Sequence, residues 1–282
     1  MLLKITHRTT YTYDTPVAYG LQQVRLTPKS RDTQKVLSWT MSLEGAQSQV
    51  VYEDAHMNET HLISFDQDVT QVTIHCEGEV DVTDTNGVTG RHSGYMPLWM
   101  FQRPTPLTKE GPGLRKLLRE FEGEGTPLDQ MHALSAHIGQ AVTYQPGETH
   151  AGSTVEEVIA AGKGVCQDHA HVFVTAARAL GMPARYVSGY LMMEDRVEQD
   201  ATHAWAEVHV DGIGWIGFDV SNEICPDARY VRVATGLDYA DAAPVSGMRF
   251  GDGTEKLSVA LQVQAQRTGQ AQSQSQAQNQ AQ

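Results

Sequence analysis

Cysteine is scarce. Only Cys76, Cys166 and Cys225 occur in 282 residues. A small, odd number is not a disulfide framework; it suits a reducing compartment and leaves room for one reactive thiol. Long apolar runs are also missing. No stretch approaches the roughly 20 apolar residues of a membrane helix. The opening MLLKITHRTTYTY is too short in apolar residues for a secretory leader. These absences predict a cytoplasmic protein. Basic charge is in deficit, with 21 Lys and Arg against 34 Asp and Glu and a formal net charge of −13. That balance argues against nucleic acid or an anionic membrane as partner. No Asp-x-Asp-x-Asp-Gly loop offers a calcium site and no Gly-Lys-Ser loop offers a phosphate cradle, so no cofactor and no metal are expected.

What is present suffices for two domains, since 40% of the residues are hydrophobic. Residues 1–95 read as strands. Val72, Ile74 and Cys76 alternate onto one face, Val80 to Thr83 continue the pattern, and Asn86-Gly87 marks a turn. Thr10 to Tyr13 is β-prone and is expected to end at Asp14 and Pro16. An antiparallel β-sandwich is the natural reading. Residues 96–113 carry four prolines and read as a linker. Residues 114–263 read as an α+β core, and residues 264–282, almost all Gln, Ala and Ser, as a disordered tail.

In the core, Leu114, Leu117, Leu118 and Phe121 share a helical face. Thr126-Pro127 is an N-cap followed by Pro at the first helical position. Ser153 or Thr154, with Glu156 or Glu157 three residues on, reads as a capping box, and Gly162 is placed to end that helix. A further helix opens at Cys166 and carries Ala170, Phe173, Val174, Ala177 and Leu180 inward before Gly181 and Pro183 close it. Strands follow at Arg185–Leu191, His203–Val210 and Trp215–Val220, with a last one at Leu257–Val263.

A thiol becomes nucleophilic as its thiolate, which a helix N-terminus and a neighbouring imidazolium favour. The position of Cys166 supplies the first, and its own amide is free to face an oxyanion. His203 is the candidate imidazole. His203, Trp205, Glu207 and His209 share one strand face; Ala204, Ala206, Val208 and Val210 share the other. Either face could meet the helix layer. If Val210-Asp211-Gly212 makes a three-residue hairpin loop, His209 opposes Ile213 and His203 opposes Asp219, with Cβ atoms about 5 Å apart. A two-residue turn would set Asp219 against Ala204, on the wrong face.

Three ordered stretches then resemble a known family. Gly164-Val165-Cys166-Gln167-Asp168, Thr202 to Val208, and Trp215 to Asp219 are similar to the core motifs of the bacterial transglutaminase-like superfamily. Gly181 to Tyr190 is similar to that family's stretch between Cys and His. Thr10 to Asp14 with Pro16-Val17, and Arg25 to Pro28, resemble its N-terminal β-domain. The resemblance implies a β-domain followed by a papain-like core, with Cys166 as nucleophile, His203 as general base and acid, and Asp219 as orienting carboxylate. It implies a peptide or protein substrate and a thioester intermediate. Hydrolysis by a cysteine protease or amidase is the first expectation and glutamine transamidation the second. A silent binding module is the reading from another class.

Other residues have plainer readings. Cys76 reads as core, and Cys225 has no assigned role. Asp168 is expected to hydrogen-bond within the first helical turn. Cys166, His169 and His171 have a zinc-like spacing without a second half. Glu207 is expected to pair, with Arg185 as candidate. Trp205 and Trp215 read as core, although tryptophans facing the cleft would shield a thioester from water. Tyr144 or Gln145 is a candidate second oxyanion donor.

Overall fold

The structure is a computed structural model and describes residues 1–266. The chain opens with strands β1 (Leu2–Val17), β2 (Tyr19–Val24), β3 (Gln34–Glu44), β4 (Ala46–Glu53), β5 (Glu59–Phe65), β6 (Val69–Val82) and β7 (Val88–Gly90). Period-two burial along β1 places Leu3, Ile5, His7, Thr9, Tyr11 and Tyr13 on one face. That strand does not end at Asp14 and Pro16. It runs to Val17 through an irregularity between Thr12 and Val17, which lets Pro16 sit in the strand without breaking a regular ladder.

Helices α1 (Pro112–Arg119) and α2 (Pro127–Ala141) follow, then β8 (Thr143–Tyr144), α3 (Val155–Ala161), β9 (Lys163–Gly164) and α4 (Cys166–Ala179). Their ends are set by local chemistry. Thr126 caps α2 and Thr154 caps α3, each in a reciprocal capping box, with Asp129 and Glu157. Gly162 ends α3 in the left-handed region at φ 64°. The chain closes with β10 (Ala184–Leu191), β11 (Glu198–Gln199), β12 (His203–Val210), β13 (Gly214–Phe218), β14 (Tyr230–Gly236), α5 (Tyr239–Ala242), β15 (Val245–Phe250) and β16 (Glu255–Ala265).

Three main sheets result. Two form the sandwich, in the orders β11-β16-β1-β6-β3 and β15-β2-β5-β4. The third, β14-β10-β12-β13-β7, carries the α+β core. On it the Ala206, Val208 and Val210 face of β12 packs with Phe173, Val174 and Ala177 of α4. The apolar face therefore meets the helix layer, and the His203 face turns away from it.

The strands do not follow the chain division read from sequence. β16, expected as the last strand of the core, lies between β11 and β1 in the N-terminal sheet. β15 pairs with β2, and β7 crosses the other way to pair with β13. The physical reason is burial. Leu261 and Val263 of β16 join Leu3, Ile5 and Val80 against Tyr190 and Val231, a cluster that closes the seam between sandwich and core. β16 also reaches Ala265, so the Gln-rich tail begins later than residue 264; the expected disorder of the remainder lies outside the described residues.

Candidate active site

Cys166 is the first residue of α4. The turn into the helix is held by Asp168, whose Oδ2 accepts from the Val165 amide at 2.8 Å and from Thr149 Oγ1 at 2.6 Å. A Cβ at Gly164 would lie 2.7 Å from that of Asp168, so the close approach needs glycine there. The Cys166 side chain is half-buried and packs beside Ala170, one helical turn on, and Ala204, the neighbour of His203.

His203 opens β12 and is clamped between aromatic rings. Trp205 stacks 6.3 Å from it and Tyr230 meets it edge-on at 5.9 Å. Its Nε2 lies 2.6 Å from Asp219 Oδ2. Nδ1 is then the nitrogen left for Cys166, which lies within hydrogen-bonding reach of the ring.

Asp219 is buried and saturated with donors. Besides His203, its Oδ2 accepts from Tyr230 Oη and Asn222 Nδ2, both at 2.7 Å. Its Oδ1 accepts from the amides of Ser221 at 3.0 Å and Asn222 at 3.3 Å. Burial by itself would raise this carboxyl, but the donors, His203 foremost, hold it below the usual carboxylate range. Burial likewise works against a charged His203. Hydrogen bonds to Asp219 and Cys166 outweigh it and push the imidazole up to about 10.

The hairpin behind this pair differs from the expected one. The loop is Asp211–Ile213, so Val210 opposes Gly214 and His209 opposes Trp215. The last regular pair is Ala206 with Phe218. Asp219 therefore stands diagonally across from His203, two positions along the same face, and bridges Ile224 as the chain turns away. A slip of two positions keeps face parity, so the carboxylate still reaches the ring.

Cys166 and His203 share the wall of a cavity of about 640 Å³. Its other side comes from the sandwich: His7, Thr9 and Tyr11 of β1 with Leu257 and Val259 of β16. The segment linking β10 to β12 supplies Arg196, Glu198 and Asp200 at the mouth. Sequence reasoning missed this sandwich wall. It also missed Asn222 and Tyr230. Asn222, three residues after Asp219, was open to recognition as part of an Asx-type turn; Tyr230 gave no local signal.

The remaining candidates have other partners. Glu207 is fully buried between Arg185, at 2.6 Å, and Arg232, at 3.1 Å, and does not reach the site. Cys76 lies in the sandwich core, where burial pushes its thiol up to about 12. Cys225 packs against the helix-layer core. His169 is held by Ser221 Oγ and the Val142 carbonyl, each at 2.8 Å, whereas His171 accepts from the Tyr239 amide at 3.0 Å. The two rings thus serve different contacts, and no metal-sized cluster of His, Cys, Asp and Glu occurs among the described residues. Trp215 lies under the Arg185 guanidinium and Trp205 behind His203; neither lines the cavity. The Gln145 amide is spent on the Gly164 carbonyl at 2.8 Å, and Tyr144 stands half exposed at the cavity edge. No helix is long and apolar enough to cross a membrane among the described residues.

Comparison with known proteins places the chain among relatives of this fold. Residues 115–220 match the family model of the transglutaminase-like superfamily, and residues 3–81 match that of the bacterial transglutaminase-like N-terminal region. An uncharacterized protein of Mycobacterium tuberculosis is 29% identical over 271 residues, covering 87% of this chain and 86% of its own. An uncharacterized protein of Mycobacterium leprae is 24% identical over 274 residues, covering 93% and 98%. A protein-glutamine gamma-glutamyltransferase of Pseudomonas aeruginosa is 30% identical over 129 residues, which span 40% of this chain and 19% of that protein. In structure, "a Putative Cysteine Protease from Cytophaga hutchinsonii" superposes with a TM-score of 0.76 at 21% identity, covering 95% of this chain and 92% of that one.

Proposed function

Since the chain belongs to the transglutaminase-like superfamily, we propose that it is a cytoplasmic, thiol-dependent acyl-transfer enzyme that hydrolyses peptide or isopeptide amides through Cys166. One observation carries the reading. A buried Asp219 holds Nε2 of His203 at 2.6 Å while Cys166, at a helix N-terminus, lies within reach of the same ring and opens on the same cavity. In this reading the Cys166 sulfur attacks the amide carbon and the carbonyl π electrons pass to oxygen. The Cys166 amide, a free donor in the first turn, faces that oxyanion. Collapse breaks the C–N bond, and His203 gives its proton to the departing amine. Water, deprotonated by His203, then attacks the thioester, releasing a carboxylic acid and restoring the thiol. Asp219 keeps the ring oriented and balances its charge at both stages.

Transamidation is the second reading, supported by the local match to a gamma-glutamyltransferase. It needs an amine to reach the thioester before water does. Neither Trp205 nor Trp215 lines the cavity, so these tryptophans supply no shield against water, which favours hydrolysis. Mass spectrometry of glutamine-containing peptides, incubated with and without a primary amine, separates the outcomes. Chain cleavage or conversion of amide to acid is expected; gain of the amine's mass would select transamidation. Loss of the activity in Cys166→Ala is required. An activity that survives that change would refute the role given to Cys166, and no activity against any peptide would leave the fold as a binding module.

A further inference from the structure

The acyl-transfer reading leaves the oxyanion with one donor, the Cys166 amide. We propose that the hydroxyl of Tyr186 is the second, a catalytic contact in the floor of the cavity. The proposal rests on that reading of Cys166.

Tyr186 belongs to β10 and is 1% exposed. Its ring packs in one cluster with Ala170, Ala204 and Cys166, so it lies beside the thiol. His171 flanks it at 5.0 Å and Tyr239 meets it edge-on at 6.1 Å, which fixes the ring. Yet its hydroxyl has no hydrogen-bonding partner among the described residues. It is not sealed off either, because the side chain lines the catalytic cavity. A hydroxyl that opens on the cavity without a protein partner is free to donate to a group brought into it.

Several other polar groups around the cavity are committed or exposed, and Tyr11 stands on the sandwich wall, outside the cluster that holds Cys166. Ser188 donates to the Ala242 carbonyl at 2.7 Å, and Gln167 to the Ala151 carbonyl at 3.2 Å. His7 lies between Tyr190 and Thr9, at 3.0 Å from each. Tyr144 is half exposed, so water competes for its hydroxyl and its ring must be ordered at each turnover. Tyr186 is already fixed by its packing, so its dipole needs little ordering when charge develops beside it. Burial, with the nearby Cys166 charge, also keeps its proton on at any working pH, so it acts only as a donor.

Two thiol reagents read this role separately. Acylation by p-nitrophenyl acetate passes through a tetrahedral oxyanion; alkylation by iodoacetamide displaces iodide and forms none. In Tyr186→Phe, acylation of Cys166 is expected to fall about 100-fold or more. Alkylation should stay within twofold and the urea midpoint should be unchanged. Acylation within threefold of the parent would overturn the proposal. So would an equal slowing of both reagents, which would place the effect on the thiol. A larger acylation loss in Tyr144→Phe than in Tyr186→Phe would overturn it in favour of the exposed phenol. Failure of the underlying reading looks different: in the parent protein, Cys166 would be alkylated no faster than Cys225, and both proposals would fall together.

Discussion

Asp219→Asn removes one charge and almost no volume, so its effect follows from the hydrogen bonds around it. Oδ2 accepts from His203, Tyr230 and the Asn222 side chain, and Oδ1 from two backbone amides. An amide group offers one acceptor oxygen and one donor nitrogen. Placed with its oxygen toward His203, its NH2 confronts the amides of Ser221 and Asn222; turned over, it confronts the other three donors. Either way at least two buried or part-buried donors lose their acceptor, at about 1–3 kcal/mol each. The expected loss of unfolding free energy is therefore about 2–6 kcal/mol, measured by urea denaturation near pH 7. A pH dependence comes with it. With Asp219 present, His203 titrates near 10 when folded and near 6.5 when unfolded. Its contribution to stability is complete below pH 6.5 and is lost as pH rises toward 10. The variant lacks that contribution, so the gap between parent and variant should narrow from pH 6 to pH 10. A loss under about 0.5 kcal/mol, or a gap that does not narrow, would refute this account of Asp219.

Three further outcomes are expected. Acid should destabilise the protein well above the carboxylate range: burial lowers His7 to about 4 and His171 to about 3, so the unfolded chain takes up their protons first. Stability present above pH 6.5 should decline by roughly 3 kcal/mol for His7 alone as pH falls toward 4, and urea midpoints that stay flat between pH 7 and pH 4.5 would contradict it. Glu207→Gln leaves the buried Arg185 and Arg232 without their counter-charge and should cost about 3–5 kcal/mol, seen as a lowered Tm, while the alkylation rate of Cys166 in the folded protein is retained. Gly189→Ala forces a Cβ to 2.1 Å from the Val231 carbonyl and 2.7 Å from Trp205, the ring stacked on His203. It should cost about 1–3 kcal/mol and slow turnover with little change in KM; full activity would mean that the Trp205 contact does not position His203.

Much of the site was legible because its signals are short-range. Thr126, Thr154 and Asp168 each cap a helix by bonding an amide three residues away, so composition within one turn announces them. Cys166 at the head of α4 is legible for the same reason. Face parity is also local: a strand alternates every residue, so His203 and Asp219 were assigned to one side of the hairpin even though the loop lies one residue later than expected. The register itself depends on which backbone bonds close best at Gly212 and Gly214, both at positive φ, and alternation does not contain that information.

Other features answer to residues far away in the chain. The strand at Glu255–Ala265 has the same period whether it joins the core or the sandwich. It joins the sandwich because Leu261 and Val263 complete the buried seam with Leu3 and Ile5, more than 250 residues upstream. That choice puts Leu257 and Val259 opposite Tyr11 and Thr9 and so builds the cavity wall facing Cys166. Tyr230 reaches Asp219, and Tyr186 reaches the cavity floor, through sheet positions set by β10 pairing with β12 and β14. The sequence by itself pointed to Cys166, His203 and Asp219, since helix caps and strand faces are written within a few residues. Only the tertiary structure decided what surrounds them, because strand partners are chosen by complementary buried faces across the whole chain.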